Sequence, residues 1–98
     1  MNHKNKHYVI MLHKIPGRDT PKALVDRHIA HLRNLDDQGN LVLAGPFENY
    51  PGGMVIVRAE SLDAARHIAE SDPFVSDGAR TFELRTWFLA TRENDYLR

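Results

Sequence analysis

Two side chains in this sequence, His28 and Asp72, have the chemistry and the placement needed for proton transfer. Asp72 stands directly before Pro73, and a proline both disfavours helical geometry at the residue before it and cannot donate to a helix. The helical pattern that precedes Asp72 therefore ends there, which holds the carboxylate in place. His28 lies near the middle of an apolar helix face. A fixed carboxylate beside an inward imidazole can act as an acid/base dyad near neutral pH.

The same pair also has a purely structural interpretation. His28 can be an ordinary core histidine, and Asp72 can be a helix-ending residue whose carboxylate accepts from nearby backbone amides. From the residue types alone the structural interpretation is the commoner one, because an unusual pair identifies a functional site only probabilistically.

Four further residues are candidates for binding a substrate. His31 lies one helical turn beyond His28 and can approach the site, or it can be a half-exposed residue at the edge of the face. His13 and Arg18 frame the loop after the first strand and can bind an acidic group, although an ordinary solvated loop has the same composition. Phe74, which follows the Asp-Pro pair, completes the set.

Histidine pairs with spacings that metal sites use occur at His3 with His7 and at His28 with His31. Neither pair has a carboxylate or a third histidine obviously beside it, so we predict no metal site. The dyad chemistry needs no cofactor. The Gly52-Gly53 pair predicts a turn and not a phosphate loop, because no helix with a lysine or serine pattern follows it.

Length and composition limit the class of protein. The chain has 98 residues, which suits one domain over 1–98 with a core at about 7–90 and tails at 1–6 and 91–98. Thirteen basic side chains balance thirteen acidic ones, so no net field favours nucleic acid as a partner. The absence of cysteine excludes disulfides and thiolate catalysis. No apolar segment approaches membrane-spanning length, and we expect a soluble, cytoplasmic protein with no membrane partner.

Elements that position these residues can be read from the hydrophobic periodicity. Thr20 is predicted to cap a helix over 21–38 with Pro21 at its first position, and Gly39 is predicted to end it. Segment 74–78 is predicted to be a loop. The remaining predicted elements are a helix at 61–71 and strands at 7–13, 40–47, 54–58 and 81–89.

The order β-α-β-β-α-β predicts a ferredoxin-like α+β sandwich, a four-stranded antiparallel sheet with both helices on one face. The first and third strands are apolar on both sides, so the other sheet face needs a cover. A second subunit packed sheet to sheet provides one. We therefore expect a homodimer, which can assemble further.

Several motifs in this order resemble the YciI-related proteins, small relatives within the dimeric α/β-barrel superfamily. The resemblance covers about 8–88 and includes His28 with Gly39, Asp72-Pro73-Phe74 and the late Trp87, together with segments 41–46 and 60–65. It implies a ferredoxin-like dimer whose active site pairs the helix histidine, here His28, with the Asp-Pro aspartate. An arginine that the family often has three residues before the histidine is replaced here by Val25.

Two functions from different classes are compatible with this sequence. The first is an acid/base enzyme of isomerase, lyase or dehalogenase type that acts on a small organic metabolite through His28 and Asp72. The second is a non-catalytic module that uses the same cleft to hold a metabolite or a partner protein. Saturable binding without conversion, surviving the loss of His28, would distinguish the second from the first.

Overall fold

The computed structural model describes residues 5–98, so His3 lies outside the described residues. Strands and helices follow the predicted order, with one additional short helix. They are β1 (Lys6–Lys14), α1 (Lys22–Asp37), β2 (Leu41–Pro46), β3 (Gly52–Val57), α2 (Leu62–Ser71), α3 (Pro73–Ser76) and β4 (Arg80–Phe88), followed by a single 3-10 turn at Asp95–Leu97.

The four strands form one antiparallel sheet in the order β2-β3-β1-β4. Alternate residues of β1, namely Tyr8, Ile10 and Leu12, are buried in one hydrophobic core. Leu24 of α1 and Ala65 of α2 belong to the same core, which places both long helices on that face of the sheet. This is the predicted ferredoxin-like α+β arrangement.

Local signals at the ends of the long helices act as predicted. Gly39 has a φ of +78°, and its amide and that of Asn40 donate to Asp36 and Leu35. This pair of bonds is a Schellman motif, which needs a left-handed residue that glycine supplies without strain. Ser61 caps α2, and its hydroxyl accepts from the Ala64 amide.

Two local predictions were wrong. Thr20 does not cap α1, because Pro21 occupies the N-cap position without a side-chain hydrogen bond, and the Thr20 hydroxyl accepts from Arg80 instead. Segment 74–78 is not simply a loop, because α3 begins at Pro73. Proline is well suited to the first turn of a helix, where its missing N–H has no partner to lose. The aspartate before it is a good N-cap, and the two residues together start the helix.

The face of the sheet opposite α1 and α2 carries apolar side chains that, within residues 5–98, neither of these helices covers. Val9 pairs with Ile56 and Met11 with Met54 across β1 and β3. Leu43 of β2 and Trp87 of β4 lie at the two sides of this face and are 66% and 41% exposed. Within residues 5–98, no helix has both the length and the apolar character needed to cross a membrane.

Candidate active site

Asp72 is held by the two helices that meet at it. It ends α2, where its amide donates to the Ala69 carbonyl, and it caps α3, where its Oδ1 accepts from the Phe74 amide at 2.9 Å. Only 3% of the residue is exposed. A buried carboxylate must be satisfied by hydrogen bonds, and the Phe74 amide supplies one of them.

His28 of α1 supplies the others. Its Nδ1 lies 2.8 Å from Asp72 Oδ1 and 3.0 Å from Oδ2, so the ring donates its Nδ1–H to the carboxylate. That hydrogen bond selects the neutral tautomer in which Nε2 is a free acceptor. Within residues 5–98 every buried side-chain nitrogen and oxygen has a partner. Nε2 of His28 has no such partner among these residues, so it is not a buried atom. Because His28 lines the cleft described below, Nε2 is accessible from that cleft.

Phe74 fixes the plane of the imidazole. The rings of His28 and Phe74 stack with centroids 3.8 Å apart and planes within 6°. Asp72 thus holds one edge of the imidazole while Phe74 covers one face, so a single orientation is favoured. Phe74 is itself fixed, because its amide donates to the carboxylate that binds the histidine.

A cleft of about 500 Å³ opens beside this group, between α1 and the sheet. Its volume lies within the usual range for small-molecule sites, which are mostly apolar with a few polar groups. Three polar or charged side chains are among its described lining residues, His28, Thr20 and Arg80. The apolar side chains that line it include Leu12, Val25, Ile29, Leu32, Pro46, Val55 and Phe74.

Arg80 is a cation that the sequence alone did not single out. Its guanidinium carbon lies 4.5 Å from the Phe74 centroid, and its Nη1 donates to the Thr20 hydroxyl and the Ala79 carbonyl. Because the imidazole already occupies one face of Phe74, the guanidinium takes the other. Burial lowers the pKa of Arg80, and the charge of Asp72 opposes that shift. The inward alternation of Arg80 with Phe82 and Leu84 was the signal that could have revealed it.

The other predicted binding residues lie elsewhere. His31 lines a separate cleft between α1 and α2, together with His67 and Ser71. Burial lowers its pKa from 6.5; the Asp72 charge opposes this shift, and His28 adds to it. His31 is therefore electrostatically coupled to the site without lining the cleft.

His13 and Arg18 are not in the cleft either. On β1 the neighbour of His13, Leu12, faces the helices, so His13 points to the opposite side of the sheet. There it contacts Tyr50 Oη at 2.8 Å and Glu83 Oε1 at 2.7 Å. The exposed Arg18 donates to the Asp77 carbonyl at 3.2 Å. Of the predicted site residues, the structure brings together His28, Asp72 and Phe74.

Metal-binding geometry is not found in the part of the chain that the structure describes. No group of three or more histidine, aspartate or glutamate side chains there is placed to hold a metal ion. Among the described residues, the ionisable side chains that line the cleft are His28 and Arg80, and the Asp72 carboxylate is bonded to the imidazole.

Comparison with known proteins places this chain in a family. A family model described as the YCII-related domain matches residues 7–87. The chain belongs to the YCII-related family. YCII relatives include YciI from Escherichia coli, 34% identical over 69% of this chain and 86% of its own. YjpA from Bacillus subtilis is 32% identical over 63% of this chain and 73% of its own. The predicted family is therefore confirmed.

Two solved structures share the fold of this YCII-related chain. One is a 5-chloro-2-hydroxyhydroquinone dehydrochlorinase, TftG, from Burkholderia phenoliruptrix in complex with 2,5-dihydroxybenzoquinone. Its TM-score is 0.66 at 24% identity, over 91% of this chain and 99% of that one. The other is a muconolactone isomerase, with a TM-score of 0.61 at 11% identity, over 87% of this chain and 88% of that one. At these identities the likeness shows the fold, and it confirms the predicted ferredoxin-like α/β-barrel class. Both neighbours are enzymes by name, so the fold is one that enzymes use.

Proposed function

We propose that this protein is an acid/base enzyme that moves a proton on a small organic molecule held in the cleft. His28 is the catalytic acid/base, and Asp72 is the positioning residue that orients it. The observation that carries the proposal is the double contact of His28 Nδ1 with the Asp72 carboxylate, at 2.8 and 3.0 Å. This contact leaves Nε2 toward the cleft.

In the first half of the reaction, Nε2 accepts a proton from an acidic C–H or O–H of the substrate. The imidazolium that forms is stabilised by the carboxylate at its other edge, because opposite charges in a poorly solvated site attract strongly. In the second half, Nε2–H returns the proton to another atom of the substrate or to a leaving group. Return to a different carbon is an isomerisation, and loss of a leaving group is an elimination.

Both reaction types fit the named activities of the structural neighbours. A dehydrochlorinase removes hydrogen and chloride, and an isomerase relocates a hydrogen. Each needs a group that takes and gives a proton near neutral pH, which is what a histidine with one committed nitrogen provides. The substrate of this chain is proposed only as a small molecule of matching size, since the cleft holds about 500 Å³.

Proton transfer can be tested on the two compounds after which these neighbouring enzymes are named. Purified protein is incubated in D2O with muconolactone or 5-chloro-2-hydroxyhydroquinone, and proton NMR follows both conversion and loss of exchangeable carbon-bound protons. We expect His28→Gln to lower kcat/KM by about a hundredfold or more, the usual contribution of a general acid/base. His67→Gln is the matched control, because His67 is an exposed histidine of α2 outside the cleft. Equal rates in the two variants would contradict the role of His28.

The same experiment separates an enzyme from a binding module. Saturable binding of a compound that is never converted, with the same affinity after His28→Gln, would favour the non-catalytic function. That alternative has its own support in the apolar lining of the cleft, which can bind a ligand without any proton transfer.

We also propose that the protein is a homodimer in which a second copy covers the open face of the sheet. The half-buried Val9 and Met11 lie on this face beside the buried Ile56, and the exposed Leu43 and Trp87 flank them. A contiguous apolar face of this kind is typical of an interface, and a self-complementary pairing is the commonest form of assembly. Light scattering that showed a monomer at micromolar concentration would contradict this proposal.

A further inference from the structure

The cleft contains a cation that the proton-transfer chemistry does not use. Within residues 5–98, its lining includes one arginine, Arg80, and no lysine. Nη1 of Arg80 is committed to Thr20 and to the Ala79 carbonyl. Its Nε and Nη2 have no partner among the described residues, and no carboxylate there forms an ion pair with it. Two donors of a fixed, half-buried guanidinium are therefore available to a ligand.

We propose that the cleft selects small planar organic anions, and that Arg80 binds their ionised oxygen. This inference deepens the proposed function and rests on it for the identity of the site. A guanidinium with two free donor nitrogens, Nε and Nη2, suits an oxyanion, because charge-assisted hydrogen bonds are the strong ones and the fork of donors matches two acceptor lone pairs.

The position of Arg80 relative to His28 limits the size of the anion. His28 stacks on one face of Phe74 at 3.8 Å, and Arg80 lies over the ring at 4.5 Å. All three side chains line the cleft, so the edge of this three-layer stack faces a ligand. The imidazole and the guanidinium are therefore roughly 8 Å apart across Phe74, and a molecule that contacts both must bridge what remains after a hydrogen bond of about 3 Å at each end. A single six-membered ring with an oxygen substituent is long enough to do this.

The charges around the cleft are compatible with an anion. Asp72 is the nearby carboxylate, and it is 3% exposed with its oxygens engaged by His28 and the Phe74 amide. Its oxygens are therefore committed to these donors, whereas the Arg80 guanidinium lines the cleft. Contact with the Phe74 ring and the Thr20 hydroxyl holds the guanidinium without neutralising it.

Ionised aromatic probes and their neutral isosteres test this selectivity directly. The pairs are 4-nitrophenolate with 4-nitroanisole and 4-nitrobenzoate with 4-nitrobenzamide, titrated calorimetrically into the intact protein. Wild type should bind at least one anion about tenfold or more tightly than its neutral partner, the size of one charge-assisted hydrogen bond. If the anion is preferred in the first pair but not in the second, the ligand is a phenolate or enolate. If it is preferred in the second pair but not in the first, the ligand is a carboxylate.

Variants then assign the preference to one residue. Arg80→Gln should bring the ratio of anion to neutral affinity close to one while the neutral probe binds as before, and Arg80→Lys should restore part of the ratio. Arg66→Gln is the matched control, because Arg66 is an exposed arginine of α2 that does not line the cleft and lies on neither face of the sheet. A merely structural role for Arg80 would weaken both probes equally and overturn the proposal. So would a wild-type ratio of one, a ratio that survives Arg80→Gln, or no binding of either anion.

This test is independent of turnover. His28→Gln should retain the preference for the anion, because the charge that Arg80 contributes does not depend on the imidazole. A preference for anions in a protein that converts none of its ligands would leave the anion site standing and reject the enzyme. Conversion of a substrate at a rate that Arg80→Gln leaves unchanged, in a protein that shows no preference for anions, would support the enzyme and reject the anion site.

Discussion

Replacing Asp72 with alanine removes a carboxylate that serves both the fold and the proposed chemistry. The Phe74 amide and His28 Nδ1 each lose a buried acceptor, at 2.9 and 2.8 Å respectively. Loss of a helix N-cap costs about 1 kcal/mol, and a buried N–H without an acceptor costs about 1–3 kcal/mol. We expect Asp72→Ala to lower the free energy of unfolding by about 3 kcal/mol. For a domain of this size, that lowers Tm by roughly 12–24 °C.

Thermal and urea denaturation followed by circular dichroism measure this loss. Asp77→Ala is the matched control, because Asp77 is exposed and, among residues 5–98, its carboxylate forms an ion pair with Arg27 alone, at 3.5 Å. A surface pair of this kind contributes less than about 1 kcal/mol. If the two alanine variants lost the same stability, the claim that the Asp72 carboxylate satisfies two buried donors would be refuted.

Asp72→Asn separates the cap from the histidine contact. The amide oxygen can still accept from the Phe74 N–H, so we expect a smaller loss of stability than with alanine. The amide group presents N–H donors to the imidazole, which favours the tautomer with the proton on Nε2. Nitrogen-15 NMR of the His28 ring reports that change. A ring that kept its Nδ1–H in this variant would show that Asp72 does not select the tautomer.

Three further predictions concern the protonation, assembly and backbone of the protein. His31 is half-buried, and because its pKa is lowered it binds fewer protons in the folded state than in the unfolded state; its contribution to stability is therefore full above pH 6.5 and falls as the pH drops below that value. Urea denaturation at about pH 7.5 and about pH 5.5 should show a smaller loss of stability on acidification for His31→Gln than for wild type. Leu43→Lys should shift the protein toward monomer in light scattering, whereas the same substitution at Leu62, an exposed residue of α2 away from the open sheet face, should not. Gly39→Ala should cost about 1 kcal/mol in urea denaturation because φ is +78° there; an unchanged midpoint would contradict the left-handed cap.

Local patterns in the sequence were sufficient for most of the fold. Strand and helix order, the glycine that ends α1 and the serine that caps α2 all depend on residues within a few positions of each other. Hydrophobic periodicity also placed His28 on the helix face turned toward the sheet, which is a property of α1 alone. These features are predictable because their energetics are local.

Local reasoning was wrong where a side chain had two possible partners. Thr20 was predicted to accept from the start of α1, but its hydroxyl accepts from Arg80, which lies 60 residues further along the chain. Asp72 was recognised as the end of one helix and missed as the start of another, because the Asp-Pro pair carries both signals. Which signal prevails depends on where the chain must turn next.

Sequence by itself determined the elements, the apolar faces and the residue types that can exchange protons. Only the tertiary structure decided which of these residues meet: it put His28 within 2.8 Å of Asp72, added Arg80 from β4 to the same cleft, and left His13 on the other side of the sheet. Sheet pairing and helix packing set these distances between segments that are far apart in the chain. A one-residue change of strand register would exchange the two faces of that strand, so a side chain's type and spacing could not reveal its distant neighbours.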